Sequence, residues 1–264
     1  MTEPTTDTTS AEIPPPRRPR HRGIYLLPNL FTTAGLFAGF YAIVAAIGGR
    51  FEPAAMAIFI AMVMDGMDGR IARMTNTQSD FGKEYDSLVD MVCFGLAPAL
   101  VMFTWSLHHL GKIGWVGAFL YAAATALRLA RFNTQVPSFG KRYFQGLASP
   151  SAAALVAGLI WTADDAGLTG ADLPKTALLV TVLAGLLMVS NFRYRSFKDI
   201  DFRGKIPFIT VIVILLVFVA ISVHPPVTLF GLFVVYALSG PMVTLISLRQ
   251  KRRARKAGTE PPHA

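Results

Sequence analysis

The feature that most restricts how this chain can fold is a succession of eight apolar runs, at about 25–48, 53–74, 82–106, 113–133, 147–163, 174–192, 206–223 and 227–248. At 1.5 Å of rise per residue, roughly 20 helical residues cross the hydrocarbon core of a bilayer. The pattern therefore predicts an all-α, polytopic transmembrane helix bundle of about eight spans. Charged residues make up 16% of the chain and hydrophobic ones 53%, whereas soluble domains carry roughly 25% charged residues. The formal net charge of +9 does not point to nucleic acid, because the basic residues flank the runs and build no face of their own. Cys93, the single cysteine, lies inside the third run, so an internal disulfide and a cysteine zinc site are both excluded. Core packing is its expected role.

Residues 1–22 are rich in Pro, Thr and charge and hold no apolar stretch. They read as a disordered basic tail and not as a cleaved signal. Residues 23–248 form one transmembrane domain, and 249–264 a basic C-terminal tail. Eight spans place both tails on one side. That side also receives the link from Arg73 to Lys83, the link with Lys141 and Arg142, and the segment from Arg193 to Lys205. The opposite side receives Arg50, Lys112 and Lys175 together with His108, His109, Asp164, Asp165 and Asp172. The excess of Lys and Arg assigns the first side to the cytoplasm. The C-terminal run Lys251, Arg252, Arg253, Arg255 and Lys256 then serves as a topology determinant beside anionic headgroups.

Four carboxylates break this apolar pattern. A charged side chain within a span costs about 2.5–3.5 kcal/mol on insertion scales and marks a functional site by default. Asp65 and Asp68 stand near the cytoplasmic end of the second helix, three residues apart, and Asp86 and Asp90 near the start of the third, four apart. Either spacing puts both members on one helix face, and antiparallel neighbours can bring all four to one point. Clustered carboxylates stay ionised together only around positive charge. All-oxygen ligands with no Cys or His among them suit a hard divalent cation, Mg²⁺ or Mn²⁺. Helix capping and surface placement explain Asp80 and Glu84 better than these four.

The stretch from Asp65 to Asp90 reads D-x-x-D-G-x-x-A-R, eight residues, then G-x-x-x-D-x-x-x-D. At every fixed position this matches the motif of the CDP-alcohol phosphatidyltransferase family, which the chain resembles. The resemblance implies transfer of a phosphatidyl-type group from a CDP-linked lipid to an alcohol, with release of CMP. In that frame Asp65, Asp68 and Asp86 look like metal ligands, and Asp90 resembles the family's general base and a further metal contact. Gly69 leaves room for a nucleotide or pyrophosphate to approach backbone, and Arg73, on the same face, offers a bidentate phosphate contact. Gly82 lets the cytoplasmic ends of the two helices approach. Ser79 either bonds a phosphate or the cytidine, or is solvated in its loop. The first helix opens with Pro28, Asn29, Leu30, Phe31 and Thr32, similar to the Pro-Asn-x-x-Thr start of the family. Asn29 and Thr32 then reach the nucleotide or its phosphates, or else cap and pack helices. A homodimer in the bacterial inner membrane, with the site facing the cytoplasm, is also implied.

Three further segments bear on the acceptor: A-L-R-L-A-R-F-N from Ala126, F-Q-G-L-A-S-P-S from Phe144, and M-V-S-N-F-R-Y-R-S-F-K-D-I-D from Met188. They resemble the bacterial branch of the family that joins CDP-diacylglycerol to L-serine, with Ala148 standing where proline is expected. Serine carries a carboxylate, which calls for a cation of matching geometry. Arg128 and Arg131, three residues apart at the cytoplasmic end of the fourth helix, meet that carboxylate or the lipid phosphate, or snorkel to the interface. Lys141, Arg142, Arg193, Arg195 and Lys198 are weaker candidates. The competing acceptors are glycerol 3-phosphate and an inositol phosphate, both of which demand a denser basic pocket. An ion-coupled transporter is the remote alternative, since its carboxylates belong near the bilayer midplane.

Overall fold

The computed structural model describes residues 26–75, 79–134, 143–195 and 208–256. The tail at 1–22, the last residues from 257, and the candidates Lys141, Arg142 and Lys198 lie outside the described residues, as do the side chains of Arg193 and Arg195.

Each of the eight apolar runs is a helix or a continuous helical rod. They are α1 (Leu26–Ile47), α2 (Phe51–Met74), a rod made of α3 (Asp80–Asp90), a π-helical turn (Met91–Leu96) and α4 (Ala97–Trp105), then α5 (Lys112–Thr134), α6 (Ser149–Asp165), α7 (Pro174–Val189), α8 (Phe208–Val223) and α9 (Pro225–Lys256). Pro28–Ile47, Asp80–Trp105, Lys112–Thr134 and Pro225–Ile246 are long and apolar enough to cross a bilayer, and Pro174–Val189 and Ile209–Val223 are shorter apolar helices. The paired aspartates and arginines of α2 keep it from the first group, and α6 has 17 residues. The chain is an integral membrane helix bundle. α9 differs from expectation at its end: it continues as helix to Lys256 through the basic run that was assigned to a tail.

α6 is the hub. Every residue from Ala152 to Ile160 is buried, and the helix packs against α2, α4, α7 and α9. Its Ala and Gly residues make this possible by letting backbones approach on several sides. A methyl group on Gly158 would stand 3.2 Å from Phe230 of α9, so that crossing is already at contact. Around the hub, α1 and α2 make the most extensive pairing and α5 lies on α7. α8 touches α9 and is otherwise exposed along nearly its whole apolar length, as a lipid-facing helix should be.

Two irregularities position the site. The third rod is interrupted because Pro98 has no N–H to return to the Phe94 carbonyl. The backbone takes up the defect in the π turn, where Ala97 N–H reaches back to Val92, and the fully buried Tyr121 of α5 donates its hydroxyl to the Phe94 oxygen at 2.9 Å. Such turns rotate the segments on either side of them and recur at functional sites. Here the turn begins one residue after Asp90. The second irregularity is a pair of short antiparallel strands, β1 (Tyr143–Gln145) and β2 (Arg193–Arg195), with Phe144 opposite Tyr194. Gly146 ends β1 at φ +80°, in the left-handed region, and a side chain there would clash with the Met188 carbonyl at 2.2 Å. Its N–H bonds Phe192 O and that of Leu147 bonds Leu187 O, both at 2.9 Å. This staple fixes where α6 begins.

Replacing Tyr121 by Phe leaves the Phe94 carbonyl buried without a donor at the helix defect. The expected cost is about 1–3 kcal/mol, seen as a lower thermal unfolding midpoint in detergent. An unchanged midpoint would show that Phe94 does not depend on this bond.

Candidate active site

Antiparallel packing of α2 on the α3 rod, both against α1, brings the acidic pairs together. Asp65, Asp68 and Asp86 each offer an oxygen within 4.8 Å of the others. Asp90 lines the same small cavity and stands within hydrogen-bond reach of Asp65. Two ligands of one Mg²⁺ lie at most about 4.2 Å apart, twice the usual ~2.1 Å bond. The three oxygens are therefore close enough for small side-chain adjustments to close them on one ion. Hard oxygen donors, several negative charges and little solvent suit such an ion chemically.

The neighbours of these carboxylates differ. Asp68 is buried and accepts from Thr32 Oγ1 at 2.7 Å and from the Gly69 N–H. The Thr32 hydroxyl also reaches Pro28 O, at 3.1 Å. Thr32 is thus a brace between α1 and a carboxylate, and the open polar group at the start of α1 is Asn29. Asp90 lies within electrostatic range of Arg128 on α5, without a direct ion pair. The thiol of Cys93, buried one turn beyond Asp90, bonds Gly35 O at 3.2 Å, which agrees with a packing role.

A second cavity, of about 300 Å³, adjoins the cluster and is lined by Asn29, Thr32, Asp68, Gly69, Arg73, Ser79, Gly82 and Asp86, together with Pro28, Ala72, Lys83 and Phe132. Its volume is at the lower end of the ~300–1,000 Å³ usual for small-molecule sites. The five residues assigned to the CDP-lipid from sequence, Asn29, Thr32, Gly69, Arg73 and Ser79, share this one space. A methyl on Gly69 would meet nothing closer than the Arg73 guanidinium at 3.7 Å, so the cavity floor is bare backbone there. Ser79 is the N-cap of α3, accepting from Gly82 N–H at 3.0 Å. This replaces the expectation of a solvated loop residue. Gly82 faces Ser79 and Asn29 of α1, so the close approach it permits is to the first helix.

Lys83 and Phe132 were not singled out from sequence. Lys83 directly follows the motif's Gly82, and Phe132 directly follows Arg131; both signals were present, but the contact between α3 and α5 that gives Phe132 its place was not.

The two candidate acceptor arginines occupy different settings. Arg128 is largely buried, its Nη1 donates to Ser149 Oγ at 2.9 Å, and its Nε is buried without a partner. Arg131 is more exposed and donates through Nη2 to Gln145 Oε1 and, at 3.1 Å, to Asn191 Oδ1. Ser149 and Gln145 belong to the second of the three family-like segments and Asn191 to the third. These contacts join all three at the C-terminal end of α5.

Comparison with known proteins agrees with this arrangement. The family model described as CDP-alcohol phosphatidyltransferase matches residues 25–187. A protein of Helicobacter pylori named CDP-diacylglycerol--serine O-phosphatidyltransferase is 36% identical over 219 residues, 81% of this chain and 90% of its own. Proteins of the same name from Mycobacterium tuberculosis (38% over 151 residues, 55% of this chain and 52% of its own) and Bacillus subtilis (30% over 172 residues, 65% and 91%) are also similar.

Changing Thr32 to Val keeps every carboxylate and removes the hydroxyl that bonds Asp68 and Pro28 O. Mn²⁺ affinity, followed by titration calorimetry or electron paramagnetic resonance of the detergent-solubilised protein, is expected to fall about tenfold. Asp86→Asn should weaken it further. Unaltered Mn²⁺ binding in Asp86→Asn would place the ion elsewhere.

Proposed function

This chain belongs to the CDP-alcohol phosphatidyltransferase family, and from that premise we propose that it transfers the phosphatidyl group of CDP-diacylglycerol to the hydroxyl of L-serine, giving phosphatidylserine and CMP. The observation that carries the reading is the junction of a nucleotide-sized cavity with an acidic cluster whose far end meets a buried arginine. The extended similarity to the Helicobacter enzyme supports the choice of acceptor.

In this reading the donor lies across α1, α2 and α3. Asn29, Ser79 and the bare backbone at Gly69 receive the cytidine and its ribose, while Arg73 and Lys83 meet the phosphates. Thr32 acts on the donor through Asp68. Asp65, Asp68, Asp86 and Asp90 would hold Mg²⁺ or Mn²⁺, which supplies neutralising charge for the pyrophosphate. The serine hydroxyl attacks the phosphorus next to the diacylglycerol, the new O–P bond replaces the bond to CMP, and Asp90 accepts the hydroxyl proton. The serine carboxylate pairs with Arg128, whose buried Nε–H lacks any other partner, and Arg131 with Gln145 and Asn191 closes the outer side.

A phosphorylated acceptor is less well served. Among the described side chains, the cation beside Asp90 is the single Arg128, and Arg131 is already engaged by two neutral amides. One guanidinium with neutral polar neighbours suits a carboxylate better than a phosphate dianion. The cytoplasmic orientation, the inner bacterial membrane and a homodimer belong to the same proposal. They rest on the distribution of Lys and Arg and on the family resemblance.

Purified protein given CDP-diacylglycerol, Mn²⁺ and L-serine, glycerol 3-phosphate or inositol phosphate in turn is expected to release CMP with serine alone, and the lipid product to be phosphatidylserine by mass spectrometry. Asp90→Asn should reduce turnover by at least a hundredfold while CDP-diacylglycerol binding persists. Product formed from a phosphorylated acceptor at a comparable rate would overturn the assignment of serine, and near-normal turnover in Asp90→Asn would remove that residue as the base.

A further inference from the structure

The 300 Å³ cavity has one wall that the motif does not supply. Its other lining residues fall between Pro28 and Asp86, whereas Phe132 comes from the last turn of α5. Among the described lining residues Phe132 is also the single aromatic one. Its side chain is 57% exposed, and it borders a space shared with Asp68, Arg73, Lys83 and Asp86. Aromatic residues at the ends of spans commonly sit in the interfacial belt of the bilayer. A ring that lines a cavity together with the motif's own residues has a different use.

The end of α5 holds the ring in place. Consecutive helical residues point about 100° apart, and three in a row are used in three directions. Arg131 donates to Gln145 and Asn191, Phe132 lines the cavity, and Asn133 donates through Nδ2 to Ser87 Oγ of α3 at 3.0 Å. Ser87 directly follows Asp86, which lines the same cavity. Thr134 closes the last turn, its hydroxyl reaching Ala130 O at 3.0 Å and Arg131 O at 3.2 Å. Polar bonds on both sides thus fix a residue whose own apolar surface stays largely open. An open ring gains little from burial, so the arrangement makes sense where a flat ligand covers it.

In the proposed donor the phosphates are assigned to Arg73 and Lys83, and the acyl chains belong to the bilayer. The pyrimidine remains as the flat part that an aromatic ring receives. We infer that Phe132 binds the donor by stacking on its pyrimidine base, and that Asn133 is a positioning residue that holds the ring at the cavity through Ser87. The inference rests on the reading of the cavity as a CDP-lipid site. It adds a donor contact outside the motif, on the helix that also carries Arg128 and Arg131.

CMP, which has the base and a phosphate but no lipid, is the probe. It is titrated with Mn²⁺ into the detergent-solubilised protein and followed by calorimetry, and steady-state kinetics are measured in mixed micelles. Phe132→Leu keeps an apolar side chain and removes the aromatic face. Its CMP affinity is expected to fall about 10-fold and its KM for CDP-diacylglycerol to rise by a like factor, with the serine KM and Mn²⁺ affinity within about twofold of normal. Phe132→Tyr should bind CMP within about twofold of normal, since the aromatic face is kept. Asn133→Ala should weaken CMP binding about 3-fold on its own and add nothing to Phe132→Leu, because the two residues act as one unit. Unchanged CMP affinity in Phe132→Leu overturns the inference; a raised KM for CDP-diacylglycerol alone would put the ring against the lipid part of the donor. Losses of Mn²⁺ affinity or rises of the serine KM as large as the CMP effect would mark the change as structural and also overturn it. Full additivity of the two substitutions removes the role given to Asn133. Wild-type protein that binds no CMP sinks the reading of the donor cavity, and the inference falls with it. Should Phe132→Leu not be recovered folded, Asn133→Ala carries the test, and unaltered CMP affinity there counts against the proposal.

Discussion

Four carboxylates set between apolar helices, Asp68 buried and Asp65, Asp86 and Asp90 half-buried, control much of the rest of this structure, because none of them can face lipid and together they repel one another. At a few kcal/mol each for insertion, they are tolerable only if α2 and the third rod present them inward, to each other and to a cation. That requirement sets the rotation of two helices and their antiparallel closeness. It also calls on α1, whose Thr32 hydroxyl bonds Asp68. The extensive packing of α1 on α2 can be read as the apolar consequence of a polar demand. The hub helix α6, rich in Ala and Gly and without charge along its buried middle, serves the same end by allowing α2, α4 and α9 to crowd round it.

Much of this was legible in the sequence, for reasons that differ between parts. The eight runs translate into helices because a bilayer leaves the backbone no other way to satisfy itself. Asp65, Asp68, Asp86 and Asp90 stood out because the same residues are cheap on a surface and costly in a span. Gly69 and Arg73 followed from the family motif and from their four-residue spacing, which puts both on one helix face. Less was legible where roles depend on contacts between distant segments. Thr32, read as a nucleotide contact or a packing residue, bonds Asp68 and lines the cavity; Ser79, read as a phosphate or cytidine contact or a solvated loop residue, caps α3 and lines the same cavity. Neither hydrogen bond has a signature beyond residue type.

The π turn was hidden for a related reason. Pro98 was visible, but a proline in an apolar helix produces a kink, a bulge or an end according to what else can serve the orphaned carbonyl. Here the answer is a tyrosine hydroxyl from α5. The short β1–β2 pair lay between apolar runs and has no hydrophobic alternation of its own to announce it. Its register depends on Gly146 and on the end of α7, which are neighbours only after folding. The basic run of α9 read as a tail because its charges exclude it from a membrane, although nothing about Lys and Arg prevents the helix from continuing into water.

In the proposed reading the two substrates are divided over the chain. The residues that line the donor cavity fall almost entirely between Pro28 and Asp86, on three consecutive helices with short links, and so condense into one compact motif. The proposed acceptor side draws on Arg128 and Arg131 on α5, Gln145 beside Gly146, Ser149 on α6 and Asn191 before β2. No short pattern can encode a pocket built from three separate stretches. The chemistry common to the family should therefore be written in a local sequence, and the alcohol in the long-range packing that surrounds it. A change of acceptor can then proceed through residues far from the aspartates, in the segments between α5 and α9, without disturbing the carboxylate geometry on which phosphoryl transfer depends.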